Sequence, residues 1–500
     1  MRSRIAPLLL VLTLCLAPWM PAGASTPVAD DSTWMTVLLD GRKIGQVRID
    51  YQRDGDVVTT TQTLSIDFHR NGRDVPLSNM TRSVESTAGQ PLAFAARTTL
   101  SAMDTTIQGQ RQPDDSFIVT TTVGGVSRQE RMDWPPGALL SEGQRLAFAR
   151  AGVRPGQLYE LRMFDPASLQ VVHASMQVLG NEQVALPGGV VTLGHQRQII
   201  RSPRGTQIVD LWLDERGRTR KGVLGVLGRE MEMMACDRTC ALAPEQHVDM
   251  LRTAMVGSPR PLSASLHDTF LRYRMHLPEG DPAPAIATDE QQVWNLGHGE
   301  WRVDIGPAGS HGEAPPRPED SRPNAWLQSD SPTIRRLAAQ VVGDASDSME
   351  KMQRLRRFVS AYITPHGLDV GYASALEVVS HPQGDCTEYA VLLAALARAE
   401  GIPARVVTGM VYRDRYGGRS HVFVPHAWVQ AWVDGHWQSF DAALRHFDSS
   451  HIAMDTGDGD PWHFFNITNL FSRLQIEDIS PVKPAPVPEN QHTRPGIGSH

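Results

Sequence analysis

From about Trp34 to Leu277, apolar and polar residues alternate in short runs rich in Val and Thr and punctuated by Gly-containing turns. Alternation with a period of two places one face of the chain in a core and the other in water, which predicts half-buried strands. "WMTVLLDGRKIGQVRIDY" reads as strand, Asp40-Gly41 turn and strand, and "RDGDVVTTTQTLSIDF" and "QIVDLWLDERGRTRKGV" repeat the design. The pattern predicts an antiparallel β-rich region of one or two domains over 25–306, with its last strands near 290–306. The Pro-, Gly- and charge-dense stretch 307–325 then reads as an interdomain linker.

Beyond it the period lengthens. "DSPTIRRLAAQVVG" carries a helix start at Ser331-Pro332, with Ile334, Leu337, Ala338 and Val341 on one face. "DSMEKMQRLRRFVSAYI" repeats the pattern through Met352, Leu355, Phe358, Val359 and Tyr362. The run "YAVLLAALA" at 389–397 is apolar on every face, as a fully buried helix must be. These helices open a second domain expected over 326–475, followed by a Pro-rich tail, 476–500, too poor in apolar residues to bury a core.

With 41% hydrophobic residues, 21% charged residues and a formal charge of −7, the 500-residue chain has no basic footprint for nucleic acid. Residues 1–24 read as a secretory signal peptide: Arg2 and Arg4, an apolar core, then Ala22 and Ala24 ahead of Ser25. No later segment has the run of roughly 20 apolar residues that a membrane span needs. The expected product is periplasmic or secreted, with no membrane span after cleavage. Cleavage leaves Cys236, Cys240 and Cys386. The first two are near enough in sequence for a small disulfide loop, which would leave Cys386 over.

Cys386 lies in "GDCTEYA", where Asp385 suits an N-cap and Glu388 completes a capping box, so the thiol sits in the first helical turn. There the helix dipole favours thiolate. A base is supplied by "HAWVQAWVDGHWQSFDAAL", where Asp434-Gly435 predicts a two-residue hairpin turn. Counting outward pairs Val433 with His436, Gln430 with Ser439 and Trp428 with Asp441, and so puts His426 and Asp441 on one face as diagonal neighbours. A carboxylate there can orient the imidazole while its other nitrogen takes the Cys386 proton. His421 and His436 have no acid placed across a strand. The backbone N–H of Cys386 is a natural oxyanion donor, with Gln383 and Trp428 as candidates for the second. Asp455, Asp458 and Asp460 sit in a Gly-rich loop without the regular ligand spacing of a calcium loop, so no metal or cofactor is expected.

"GDCTEYAVLLAALARAEGIPARVVTGMVY" followed by "HAWVQAWVDGHWQSFDAAL" resembles the transglutaminase-like superfamily, a branch of the papain-like thiol enzymes. The resemblance covers roughly residues 326–475. It implies an α+β fold with a papain-like C-terminal domain, in which Cys386 is the nucleophile, His426 the general base and then acid, and Asp441 the orienting acid. Asp441-Ala442-Ala443 departs from the Asp-Pro or Asp-Ala-Thr of many members, which bears on subfamily and substrate. The implied chemistry is acyl transfer on peptide or protein amides through a thioester, with hydrolysis favoured over protein crosslinking. A non-catalytic module holding a cell-envelope partner through the β-rich region is the alternative from another class.

Overall fold

The computed structural model describes residues 31–482 except 71–72, 101–102, 152–153, 203–204, 227–228, 247–254, 307–311, 366–372, 445, 461–469 and 472. The expected signal peptide and the tail from 483 onward lie outside the described residues. Residues 31–236 form one antiparallel sheet of 14 strands, built from two meanders whose first strand, Asp31–Leu39, pairs with the last, Arg229–Cys236. The Asp40-Gly41 turn behaves as its sequence demands, with both residues at positive φ (46° and 74°). The sheet curls until its edges share a core: Phe94 and Phe117 from one end pack with Phe164 from the other. Leu139, which follows one edge strand, pairs with Met163 on the opposite edge. Curling in this way covers edges that would otherwise recruit other strands.

Strand pairing runs across the boundary expected at 306. Leu271–His276, Gln291–Gly297 and Glu300–Ile305 leave the large sheet and form a four-stranded sheet with Gln475–Pro481. The last of these strands also occupies the start of the stretch 476–500 expected as a Pro-rich tail without a core. The four-stranded sheet shares a core with the C-terminal unit, where Tyr273, Val303 and Ile479 pack with Met410, Phe423 and Ile452. Hydrogen-bonding edges, rather than sequence adjacency, decide which strands associate. The Pro-rich stretch is likewise no loose linker: Glu313 pairs with Arg405, and the Ala314 carbonyl accepts from the Trp437 indole at 3.1 Å.

In the C-terminal unit the helices Pro332–Val342 and Ser348–Tyr362 bury Ile334 and Ala338, and Met352, Leu355 and Val359, against the helix Cys386–Ala399. Every residue of that last helix from Thr387 to Arg398 is buried. It packs on the sheet made by Ala404–Tyr416, Arg419–Val433, His436–Phe440 and His451–Gly457, with the short strand Val256–Gly257 on its edge. The two units meet where Val123 enters the helical core, Gly124 abuts the Glu377 side chain and Arg128 pairs with Asp330 at 2.5 Å.

Gly409 is the tightest point of the C-terminal sheet. It stands opposite His426 on one side and Ala453 on the other, and a β-carbon there would overlap the Ile452 carbonyl oxygen and crowd the Trp428 ring. Gly409→Ala is therefore expected to destabilise the protein by about 1–3 kcal/mol through overpacking. Denaturant unfolding measures it, and an unchanged midpoint would refute the tight approach.

Candidate active site

The cysteine helix starts as its sequence predicts. Asp385 has extended φ/ψ and its carboxylate accepts from the Thr387 N–H at 3.1 Å, while Glu388 reaches back to the Asp385 N–H at 2.9 Å. Glu388 also accepts from Ala373 N–H at 2.9 Å, and it is fully buried. Gly384 leaves the space that Glu388 fills. Burial, and then the neighbouring charge of Asp385, push the Glu388 carboxyl well up. Its neutral form is thus favoured, which reduces the negative charge set against a thiolate at the helix start. Cys386 occupies the first helical position, half-buried against the core. The disulfide joins Cys236 to Cys240 and leaves Cys386 a thiol.

The hairpin folds in the expected register, with Asp434 and Gly435 at φ 53° and 81°, Val433 opposite His436 and Gln430 opposite Ser439. The ladder ends at the Val429–Phe440 pair, so Asp441 lies just beyond it. Its Oδ2 meets His426 Nε2 at 2.7 Å, and its Oδ1 accepts from the backbone N–H groups of Ala443 (2.7 Å) and Leu444 (2.9 Å). The Ala442-Ala443 sequence thus provides a turn that grips the carboxylate. Side-chain exposures of 7% for His426 and 1% for Asp441 put the pair out of water. With Nε2 committed to Asp441, Nδ1 is the nitrogen left for a thiol.

Sequence reasoning missed a second imidazole. His451, 1% exposed, places its Nε2 3.0 Å from the same Asp441 Oδ2. Its Nδ1 lies 3.1 Å from Asp448 Oδ1, and Asp448 Oδ2 lies 3.2 Å from His267 Nδ1. The result is a buried line His426–Asp441–His451–Asp448–His267. Burial would raise Asp441, but the charge and hydrogen bonds of His426 and His451 hold it well below the usual carboxylate range. Burial would lower His451, but its bonds to Asp441 and Asp448 lift it to about 9. The hydrogen bond that His267 donates to Asp448 raises the His267 imidazole, against burial.

A polar segment from outside the helical core braces the hairpin. Thr288, Asp289, Glu290 and Gln291 are all buried. Asp289 accepts from Trp437 N–H at 2.8 Å, and Glu290 accepts from Ser439 N–H at 2.9 Å and from the Ser439 hydroxyl. Gln291 exchanges hydrogen bonds with the Ala453 backbone. Burial pushes Glu290 up to about 7 against those bonds. The Ser439 hydroxyl also accepts from the Trp428 indole at 3.1 Å, and Trp428 stacks near His426 with ring centroids 6.1 Å apart. That indole N–H is committed and Trp428 is buried, which removes it as an oxyanion donor. Gln383 is exposed beside the helix start. His421 bonds the Tyr412 hydroxyl and His436 faces its own turn, so neither joins the cluster.

Residues 335–442 are a transglutaminase-like core domain, by their match to the family model of the transglutaminase-like superfamily. An uncharacterized protein of Mycobacterium leprae is 35% identical over 68 residues, which are 13% of this chain and 24% of that protein. The chain therefore spans about a quarter of the curated relative that it matches. A solved protein of Cytophaga hutchinsonii described as a candidate cysteine protease is 16% identical, covering 43% of this chain and 88% of its own, with a TM-score of 0.27. A β-barrel-like protein of Brucella abortus is 12% identical, covering 41% of this chain and 95% of its own, with a TM-score of 0.33.

The transglutaminase-like domain as matched ends at Asp441-Ala442, whereas His451, Asp448, His267 and the brace at 288–291 fall outside it. His426, Asp441 and His451 also present ligand atoms within 4.8 Å of one another. A divalent cation bound by these atoms would have to displace both imidazole–carboxylate protons.

Glu290 and His451 each add one contribution of known sign to the pH dependence. Glu290 keeps in the folded protein a proton that the unfolded chain has released, so stability falls from pH 4.5 toward about 7. His451 contributes stability that is complete below pH 6.5 and is lost as pH rises through about 9. Thermal unfolding followed across pH is expected to show both declines, Glu290→Gln flattening the first and His451→Gln the second. Profiles identical to wild type in both variants would contradict the assignment.

Proposed function

We propose that the protein is an exported thiol enzyme that transfers acyl groups from peptide or protein amides through a thioester, with water as the favoured acceptor. The observation that carries this reading is the buried 2.7 Å bond between His426 Nε2 and Asp441, in a domain whose central helix opens with Cys386. Cys386 Sγ, having passed its proton to His426 Nδ1, attacks the amide carbon. The C–N bond breaks as His426 returns that proton to the leaving amine or ammonia, and the acyl group remains on sulfur. Water, deprotonated by the same imidazole, then releases the acid and restores the thiol. Asp441 stabilises the imidazolium and fixes its tautomer, as the acid of a catalytic triad does. The Cys386 backbone N–H, in the first turn of its helix, is the donor offered to the oxyanion.

Export is supported by the charged, apolar and small-residue order of positions 1–24 and by the Cys236–Cys240 disulfide, which suits an oxidising compartment. The curled 14-stranded sheet is the surface available for a cell-envelope partner.

Incubation with peptide amides is expected to release ammonia or amine without added acceptor. Cys386→Ala should abolish that release together with labelling by iodoacetamide, and Asp441→Asn should lower turnover by roughly 10⁴-fold with Cys386 still in place. Product found only when a primary amine is supplied would make the protein a crosslinking transferase. Unchanged turnover in Cys386→Ala would end the thiol mechanism.

A further inference from the structure

We propose that His451 is a positioning residue of the thiol site: its protonated imidazole shares the Asp441 carboxylate with His426 and so limits how strongly Asp441 holds the His426 imidazolium. This rests on the thiol reading above and adds to it a residue outside the matched core domain.

The geometry is that of a carboxylate with no acceptor capacity to spare. Oδ1 takes two backbone N–H groups and Oδ2 takes two imidazole nitrogens, at 2.7 and 3.0 Å. The groups that face His451 are Asp441, Asp448 and His426, whose ring centroid lies 5.6 Å away, with the rings of Trp428 and Phe447 completing its walls. His267 acts on it across Asp448, and Glu290 lies within its electrostatic reach. His451 Nε2 points at Asp441 Oδ2, and Nδ1 lies 3.1 Å from both Asp448 Oδ1 and the Asp448 carbonyl oxygen, three acceptors that a doubly protonated ring satisfies; the Asp448 N–H, at a longer 3.3 Å from Nδ1, is the one contact that favours a bare nitrogen.

In a three-member site the carboxylate's whole charge stabilises the imidazolium formed when the thiol gives up its proton. Here a second cation already occupies the same oxygen, and two like charges this close resist one another. The hold of Asp441 on the His426 imidazolium is correspondingly weaker. An imidazolium held less tightly gives its proton to a departing amine more readily, at the cost of a smaller resting population of thiolate. The device suits amide cleavage, where amine expulsion needs a proton.

The test uses full-length protein with isotope-labelled histidine, and His451→Gln, which keeps a side-chain N–H for Asp441 and removes the charge. NMR titration of wild type is expected to show His451 charged at neutral pH. In the variant the His426 titration should move up. The acid limb of Cys386 alkylation by iodoacetamide should move down, and labelling on that limb should be roughly tenfold faster for every pH unit by which the limb moves. Asp448→Asn, which weakens the hold on the His451 cation, should move both in the same direction by less, and it decides the matter if His451→Gln does not fold. A neutral His451 at pH 7, or folded variants whose His426 titration and alkylation limbs match wild type, would overturn the proposal and leave the thiol reading standing. A wild-type Cys386 that alkylates like an ordinary thiol while His426 still responds to His451 would overturn the thiol reading instead.

Discussion

The buried carboxylate of Asp441 is the group on which the C-terminal architecture converges. An ionised acid that is 1% exposed persists only if every lone pair is met, and the protein meets them with two backbone N–H groups and two imidazoles. The four donors come from three separate pieces of chain. The histidine strand supplies His426, the turn after Phe440 supplies Ala443 and Leu444, and the strand His451–Gly457 supplies its own first residue. Holding the acid therefore requires that the sheet order be correct. Strand order and site geometry are one constraint.

That constraint explains why so much polar chemistry is buried beyond the three residues of the expected site. Asp448 must offset His451, and His267 answers Asp448 from a short helix nearly two hundred residues earlier. The brace Thr288–Gln291 does the same for the hairpin, taking the Trp437 and Ser439 N–H groups that a further strand would otherwise have taken. A side-chain brace leaves the hairpin's outer edge closed to other chains while fixing where Ser439, and through it Trp428, must lie. A β-carbon at Gly409 would in turn crowd the Trp428 ring. The 255–306 stretch and the strand at 475–481 are thus part of the same unit as the matched core, although they flank it in sequence.

The curled sheet of residues 31–236 is built on different terms. Its pairings are between successive strands, apart from the closing pair of first and last, and its cores are small apolar clusters rather than one large one. Among the described residues, Leu77, Val123, Gly124 and Arg128 touch the C-terminal unit.

Local chemistry was legible in the sequence because it is read over a few residues. Asp434-Gly435 set the hairpin register, and with it the meeting of His426 and Asp441. Asp385 and Glu388 set the helix start, and the apolar run at 389–397 set its burial. Tertiary structure alone decided the rest. The pairs His267–Asp448 and Glu290–Ser439 span 181 and 149 residues, and no periodicity or turn rule reaches that far. His451 opens a strand behind a polar "DSS" run that reads as an ordinary loop, and the strands 271–305 alternate like those before them while pairing with 475–481 instead. A strand's pattern tells which face is buried but not which edge it will meet. A histidine's identity tells what it can bind but not which carboxylate the fold will bring to it.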